Sequence, residues 1–213
     1  MTAAASLRPA VDGAALSRRI DELAAISEAP APAVTRVLFS EADQRGREYV
    51  RRCAREAGLT VREDAVGNIF ARWVGSEPDL PAVGTGSHTD AIPNAGKYDG
   101  VVGVLGGFEA LAALRRAGFR PRRSLEVVMF TAEEPTRFGL GCLGSRLLAG
   151  ALPLEKARAL RDREGRSLDE LRAAAGCQGA LESVKLSGGF YHSFVELHIE
   201  QGPCLEREGL PIG

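Results

Sequence analysis

Three side chains that could bind a metal share one short segment, residues 84–100 (GTGSHTDAIPNAGKYDG). They are His88, Asp90 and Asp99. An imidazole and carboxylates form a suitable ligand set for a divalent cation. His88 and Asp90 are two positions apart, so on an extended backbone they point to the same side, where the carboxylate could orient a metal-bound imidazole. A lone histidine is more often a core residue, so this interpretation depends on the two carboxylates beside it.

Two adjacent carboxylates, Glu133 and Glu134, follow an apolar run, LEVVMFT, after one alanine. Neighbouring side chains on an extended backbone point to opposite sides, so one could bind a metal while the other faces a bound water. The alternative is a solvated helix start, where acidic residues are favoured. The position directly after a buried run favours the functional interpretation. Arg137 follows closely and could contact a substrate carboxylate or pair with a local acid.

A second histidine, His198, lies between Glu196 and Glu200 in the segment FVELHIE. The alternating pattern predicts a strand with these three side chains on one face. Carboxylates on a buried face are costly without a cation, and a metal would offset that cost. His192 lacks such neighbours, and we interpret it and the four cysteines as structural.

The bulk composition excludes several classes of protein. The chain has 213 residues, 45% of them hydrophobic and 26% charged, and a formal net charge of −1. These values are typical of a globular protein and do not favour a nucleic-acid partner. No apolar run approaches the ~18 residues that a membrane span requires. The first twenty residues lack the pattern of a signal peptide; an organellar transit sequence is the alternative. The cysteines form no Cys-x-x-Cys pair, so we expect a cytoplasmic protein with free thiols.

Alternating helical and strand patterns must position these groups. The periodicity, with Ser40 as an N-cap, predicts helices over residues 13–28, 41–57, 100–117, 143–150 and 153–175. Strands are predicted in a hairpin over residues 59–75 and at residues 82–86, 125–131 and 194–200. This order is typical of an α/β fold. Because functional groups collect beyond the carboxyl ends of strands in such sheets, we expect His88, the Glu133–Glu134 pair and His198 to converge.

Three longer segments resemble one family in their order and spacing: GSHTDAIPNAGKYDGVVGVLGGFEAL, FTAEEPTRFGLGCLGSRLLAG and ELHIEQGPCLE. It is the family of dinuclear-metal hydantoinase/carbamoylase-type amidohydrolases, within the aminoacylase/carboxypeptidase superfamily. EEPTRFG followed by CLGSRLLAG is most similar to its ureidoglycolate amidohydrolase branch. The resemblance implies a phosphorylase/hydrolase-like catalytic domain, with a mixed sheet flanked by helices. It also implies hydrolysis of ureidoglycolate, with allantoate or an N-carbamoyl-L-amino acid as the alternative substrate.

The resemblance also implies roles for individual residues. Four residues would bind two divalent ions, Zn²⁺ or Mn²⁺: His88, Asp99, Glu134 and His198. Among them, Asp99 would bridge the two ions, and the two histidines would share one. Three others would have further roles: Glu133 would be the general base, Asp90 would orient His88, and Gln201 would contact the substrate. Arg137 is a second candidate substrate contact because of its position after the glutamate pair.

The family pattern extends beyond this sequence. In members of the family a lid and dimerisation domain is inserted, full-length chains form homodimers, and a later segment supplies the last histidine of the second metal. We therefore expect residues 1–213 to be the N-terminal part of the catalytic domain, ending near the hinge to the lid. We also expect weak binding of the second metal and little or no activity of this chain alone. One alternative is a non-catalytic remnant. Another is a metallopeptidase or aminoacylase, which His198 disfavours because those relatives usually have a carboxylate at this ligand position.

Overall fold

A computed structural model describes residues 9–213 of the chain. Residues 1–8 lie outside the described residues. They belong to the first twenty residues, for which no signal peptide is predicted. The helices, in chain order, are α1 (Gly13–Ala24), α2 (Glu41–Glu56), α3 (Val101–Arg116), α4 (Leu143–Leu148), α5 (Leu154–Ala159), α6 (Leu168–Ala174) and α7 (Cys204–Glu208). The strands are β1 (Val34–Arg36), β2 (Thr60–Glu63), β3 (Ile69–Trp73), β4 (Ala82–His88), β5 (Ala91–Ala95), β6 (Leu125–Phe130) and β7 (Tyr191–Val195).

A five-stranded mixed sheet, in the order β2-β3-β6-β4-β7, forms the centre of the fold. β3 pairs antiparallel with β2 and β6, whereas β4 runs parallel to both β6 and β7. The α/β class and the mixed sheet flanked by helices are thus confirmed. β6 occupies the middle of the sheet, and its residues Val127, Val128 and Met129 are all buried. Cover on both faces explains its run of adjacent apolar residues.

Two apolar clusters cover the two faces of the sheet. On one side, side chains of α1, α2 and α3 pack against Ile69, Val127 and Met129. On the other side, α4 and α6 pack against Phe70 and Val128. The alternate residues of β3 and β6 divide between the clusters because successive side chains of a strand point to opposite faces. Within residues 9–213, no helix is long and apolar enough to cross a membrane.

The predicted hairpin and the second helix are confirmed, whereas the single helix predicted over residues 153–175 is wrong. Ser40 caps α2, and its hydroxyl accepts a hydrogen bond from the Asp43 N–H. The segment 153–175 forms α5 and α6, separated by a turn. There the Asp162 carboxylate accepts hydrogen bonds from the backbone N–H groups of Glu164 and Arg166. Such side chain–backbone bonds compete with helix formation, and a capping box at Ser167 then starts α6.

The strand predicted over residues 194–200 is also wrong in its extent. β7 ends at Val195, so Glu196, His198 and Glu200 do not share one face of a strand. Glu200 instead accepts hydrogen bonds from the N–H groups at the start of α7. β1 and β5, which pair with each other outside the main sheet, were not predicted. β5 contains Pro93 and Asn94, residue types that are depleted in strands.

Candidate metal centre

The carboxyl ends of three adjacent parallel strands form one edge of the central sheet. β4 ends at His88, the Glu133–Glu134 pair follows β6, and His198 follows β7. Asp99 reaches the same place from the start of α3. The structure therefore brings the two predicted histidines and three predicted carboxylates together, as expected for an α/β sheet.

One group of three possible ligands combines two imidazoles with a carboxylate. The Oδ1 atom of Asp99 lies 3.6 Å from Nε2 of His88 and 3.3 Å from Nε2 of His198. The two imidazole rings are stacked with centroids 5.8 Å apart. One ligand atom from each residue can be chosen so that all three lie within 4.8 Å of one another. This spacing allows one ion to contact all three.

A second group joins His88 to Glu133 and Glu134, again with ligand atoms within 4.8 Å of one another. Nε2 of His88 is 3.6 Å from Oε2 of Glu133. His88 is thus common to both groups, and its ring is almost fully buried, with 1% of the side chain exposed.

Two atoms at the centre of these groups have no hydrogen-bond partner within the described residues: His88 Nε2 and Asp99 Oδ1. A buried polar atom without a partner costs about 1–3 kcal/mol, and buried polar atoms are normally satisfied. Both atoms can donate an electron pair, and both face the same space. The residues therefore fit a bound cation, and the imidazole and carboxylate donors suit a divalent one.

The backbone at Asp90 sets the orientation of the His88 ring. Nδ1 of His88 lies 2.9 Å from the backbone oxygen of Asp90 and 3.5 Å from its Oδ1. In the neutral ring that would bind a metal, donation from Nδ1–H to this carbonyl leaves the electron pair of Nε2 directed into the cluster. The predicted orienting residue thus contacts His88 mainly through its main chain.

The Asp90 carboxylate itself has a role that the sequence analysis missed. It accepts hydrogen bonds from the backbone N–H of Glu133 at 3.3 Å and of Glu134 at 3.0 Å. One residue therefore connects the end of β4 to the turn that carries both glutamates. No sequence signal distinguished this role, because the contact joins segments that are distant along the chain.

The centre carries a surplus of negative charge. Across residues 9–213, the ion pairs of Asp99 and Glu133 involve only histidines. Burial disfavours the charged form of His88, but Asp90 and Glu133 outweigh this effect and raise its pKa to about 9. Burial, with the repulsion from Glu133 and Asp99, also raises the pKa of Glu134 above its usual range. Both shifts favour uptake of a proton, because the surrounding carboxylates carry excess negative charge. A divalent cation would supply the compensating positive charge.

The two predicted substrate contacts differ in their positions. Gln201 lies at the centre, where its side-chain amide donates to Oδ2 of Asp99 at 2.7 Å. Arg137 is engaged elsewhere: its Nε donates to the Leu38 carbonyl at 2.5 Å, and its Nη1 pairs with Asp162 at 3.2 Å. Arg137 thus forms the local ion pair that the sequence left open as the alternative.

Close packing at Gly100 brings Asp99 against His88. A Cβ atom at position 100 would lie 2.5 Å from the His88 ring, and the residue has a φ of +64°.

A cavity of about 550 Å³ adjoins the centre, lined by Phe130, Glu133, Cys142, Ser145, Phe194, Glu196 and His198. Since Glu133 and His198 are among the lining residues, a small molecule in this cavity would reach the metal-binding groups.

Comparison with known sequences identifies relatives that share nearly the whole of this chain. The family model for peptidase family M20/M25/M40 matches residues 84–213. Ureidoglycolate hydrolase of Arabidopsis thaliana is 56% identical over 95% of this chain and 44% of its own length. The rice ureidoglycolate hydrolase is likewise 56% identical, over 95% of this chain and 43% of its own. The N-carbamoyl-L-amino acid amidohydrolase of Geobacillus stearothermophilus is 42% identical, over 95% and 50% respectively.

The fold of this chain is also similar to solved structures of the same kinds of enzyme. The crystal structure of AtUAH in complex with glyoxylate has a TM-score of 0.90 and 56% identity, covering 94% of this chain and 49% of that one. A hydantoinase/carbamoylase family amidase from Burkholderia ambifaria has a TM-score of 0.86 and 42% identity, covering 93% and 48%. The chain thus spans about half the length of these relatives. The predicted resemblance is confirmed, and the chain belongs to peptidase family M20/M25/M40.

Proposed function

We propose that this chain is the N-terminal part of the catalytic domain of a metal-dependent amidohydrolase whose substrate is ureidoglycolate, a small ureido compound. Proteins of this family are metal-dependent. The observation that carries the proposal is the 56% identity to the A. thaliana ureidoglycolate hydrolase over 95% of the chain. The four cysteines are free, which supports a reducing compartment such as the cytoplasm.

Four side chains are proposed to hold two divalent ions, Zn²⁺ or Mn²⁺: His88, Asp99, His198 and Glu134. The first three form one group and Glu134 lies in the other, while Asp99 presents one oxygen towards both imidazoles. Bound ions would polarise the ureido carbonyl group and lower the pKa of a water molecule beside it.

Glu133 is proposed as the general base. Its carboxylate is 37% exposed and lines the cavity, and its Oε2 faces the metal-binding groups. It takes a proton from the attacking water as the new carbon–oxygen bond forms. The same proton then passes to the nitrogen that departs as ammonia when the carbon–nitrogen bond breaks.

The products of this reaction agree with the ligands of a close relative. Loss of ammonia from a ureido group leaves a carbamate, which releases carbon dioxide and an amine. For ureidoglycolate the amine is hydroxyglycine, and loss of a second ammonia yields glyoxylate. AtUAH has been crystallised with glyoxylate and with (S)-hydroxyglycine. These complexes support ureidoglycolate over other ureido compounds.

A substrate panel tests the proposal. Purified chain, with Mn²⁺ or Zn²⁺ added, is incubated with ureidoglycolate, allantoate or an N-carbamoyl-L-amino acid, and ammonia release is followed. We expect slow release from ureidoglycolate, which increases when the remaining part of the A. thaliana relative is added as a second polypeptide. Glu133→Gln should abolish the release in both cases. Faster release from the N-carbamoyl-L-amino acid would instead favour the activity of the G. stearothermophilus relative.

A further inference from the structure

Cys142 places its thiol against the proposed general base. Its Sγ atom lies 3.2 Å from Oε1 of Glu133, within hydrogen-bonding distance for sulfur. Burial and the negative charge of Glu133 raise the pKa of Cys142 to about 11. The sulfur therefore keeps its proton at neutral pH, and the thiol donates to the carboxylate.

The backbone holds this contact in place. Three hydrogen bonds join the segment of Cys142 to the segment of Glu133: Cys142 N–H to Glu133 O at 2.7 Å, Leu143 N–H to Ala132 O at 2.9 Å, and Gly144 N–H to Thr131 O at 2.8 Å. A Cβ atom at Gly144 would lie 2.7 Å from the Thr131 oxygen, so this close approach requires glycine.

Both segments also contain a backbone conformation that is rare for residues with a side chain. Ala132 has a φ of +53° and Cys142 has a φ of +58°. Such conformations are unfavourable and persist where the surrounding structure determines them, often at functional sites. The conformation at Cys142 directs its side chain to the carboxylate of Glu133.

The contact distinguishes the two oxygens of the base. The terminal torsion of a glutamate has a broad energy profile, so an unrestrained carboxylate exchanges its oxygens readily. With Oε1 bonded to the thiol, Oε2 is the oxygen that lies 3.6 Å from Nε2 of His88. We infer that Cys142 is a positioning residue, which holds Glu133 so that Oε2 receives the proton of the attacking water. This inference rests on the proposed function of Glu133.

Alkylation of Cys142 tests the contact without any catalytic readout. Glu133→Gln removes the negative charge beside the sulfur, so Cys142 should ionise more readily. At mildly alkaline pH we expect iodoacetamide to modify Cys142 about threefold faster or more in this variant than in the parent chain. Peptide mass spectrometry follows each cysteine separately, with exposed Cys204 as the internal reference. Glu155→Gln, at an exposed position, is the matched control. Equal rates for Cys142 in the parent and in Glu133→Gln would overturn the inference.

Turnover of ureidoglycolate tests the consequence, with the chain supplemented by the remaining part of the A. thaliana relative. Cys142→Ala should lower kcat about tenfold with little change in KM, because the base is held less well. Cys142→Ser keeps a hydroxyl donor and should recover kcat to within about threefold of the parent. An unchanged kcat in Cys142→Ala, or equal losses in both variants, would overturn the positioning role. Since alkylation needs no hydrolysis, failure of the contact and failure of the proposed substrate can be told apart.

Discussion

Asp90 joins the two loops of the metal centre through both its main chain and its side chain. Its carbonyl oxygen accepts from His88, and its carboxylate accepts from the N–H groups of Glu133 and Glu134. Partners of this kind, which orient the ligands without touching the metal, commonly affect metal affinity strongly. The geometry of the centre therefore depends on a residue that need not bind the ion itself.

Replacing Asp90 by alanine should weaken metal binding while leaving every proposed ligand in place. We expect a loss of about 10–100-fold in Zn²⁺ affinity, because the turn carrying the two glutamates loses both of its carboxylate bonds. Competition with a chromophoric chelator measures the affinity. Asp79→Ala, at an exposed position, is the matched control and should bind as the parent does. Parent-like affinity in Asp90→Ala would refute this role.

At the scale of residues, the sequence was sufficient to predict which side chains gather at the centre. Histidines and carboxylates that follow apolar strands are a local signal for His88, for the Glu133–Glu134 pair and for His198. Asp99 joins them from the residues before α3. The carboxylate contacts of Asp90 and the thiol contact of Cys142 were not predictable. The first joins residues 43 and 44 positions apart, and the second depends on two unusual backbone conformations.

At the scale of elements, the start of α3 presses against the end of β4. Gly100 precedes the helix, and its missing side chain leaves room for the His88 ring. Asp99, the residue before Gly100, therefore lies close to His88 at the start of α3.

Gly100→Ala should disturb the centre through packing alone. The new methyl group would lie 2.5 Å from the His88 ring, and the residue would keep a φ of +64°. We expect His88 to move away from Asp99, with a loss of at least about tenfold in metal affinity and a stability loss of about 1–3 kcal/mol. Calorimetric titration and urea unfolding measure the two effects. Gly13→Ala, where a Cβ atom meets nothing within 4 Å, provides the control.

The elements that were predicted correctly carry strong local signals. The Ser40 cap defines α2, and the turn around Gly67 defines the β2–β3 hairpin. The errors occurred where side chains override periodicity. Asp162 divides the segment predicted as one long helix, and Glu200 bonds to the start of α7 where a strand was expected. β5 was not predicted, because it contains Pro93 and its partner strand β1 is remote in sequence.

At the scale of the whole molecule, the charge at the centre couples the stability of the metal-free protein to pH. Burial opposes the imidazolium of His88, but Asp90 and Glu133 raise its pKa to about 9, above the value of 6.5 for an unperturbed histidine. A raised pKa stabilises the folded state while the group is protonated. The contribution is therefore complete below about pH 6.5 and is lost as the pH rises through about 9.

Urea unfolding of the metal-free chain should show this dependence. Between about pH 6 and pH 9.5 we expect the free energy of unfolding to fall by up to about 3 kcal/mol from His88. His88→Gln should flatten the curve over this interval, whereas the exposed His192→Gln should keep the parental slope. The same slope in His88→Gln and in the parent would exclude His88 as its source.

The architecture and the family were predictable for the whole chain because they depend on patterns that extend over its length. The order of helices and strands predicted the α/β class. Three long motifs predicted the family, and the resemblance to that family implied the mixed sheet. The register of the sheet and the β1–β5 pair required the structure, since pairing partners lie far apart along the chain.

Metal titration of the chain with and without the shared histidine tests the central claim most directly. Zn²⁺ or Mn²⁺ is titrated into the metal-free chain in a calorimeter, in buffers of different ionisation enthalpy. We predict saturable binding with proton release, since His88 must lose its proton to bind the ion. His88→Ala should abolish this binding and His192→Ala should preserve it. Equal affinity and proton release in the parent and in His88→Ala would contradict a metal centre at the ends of these strands.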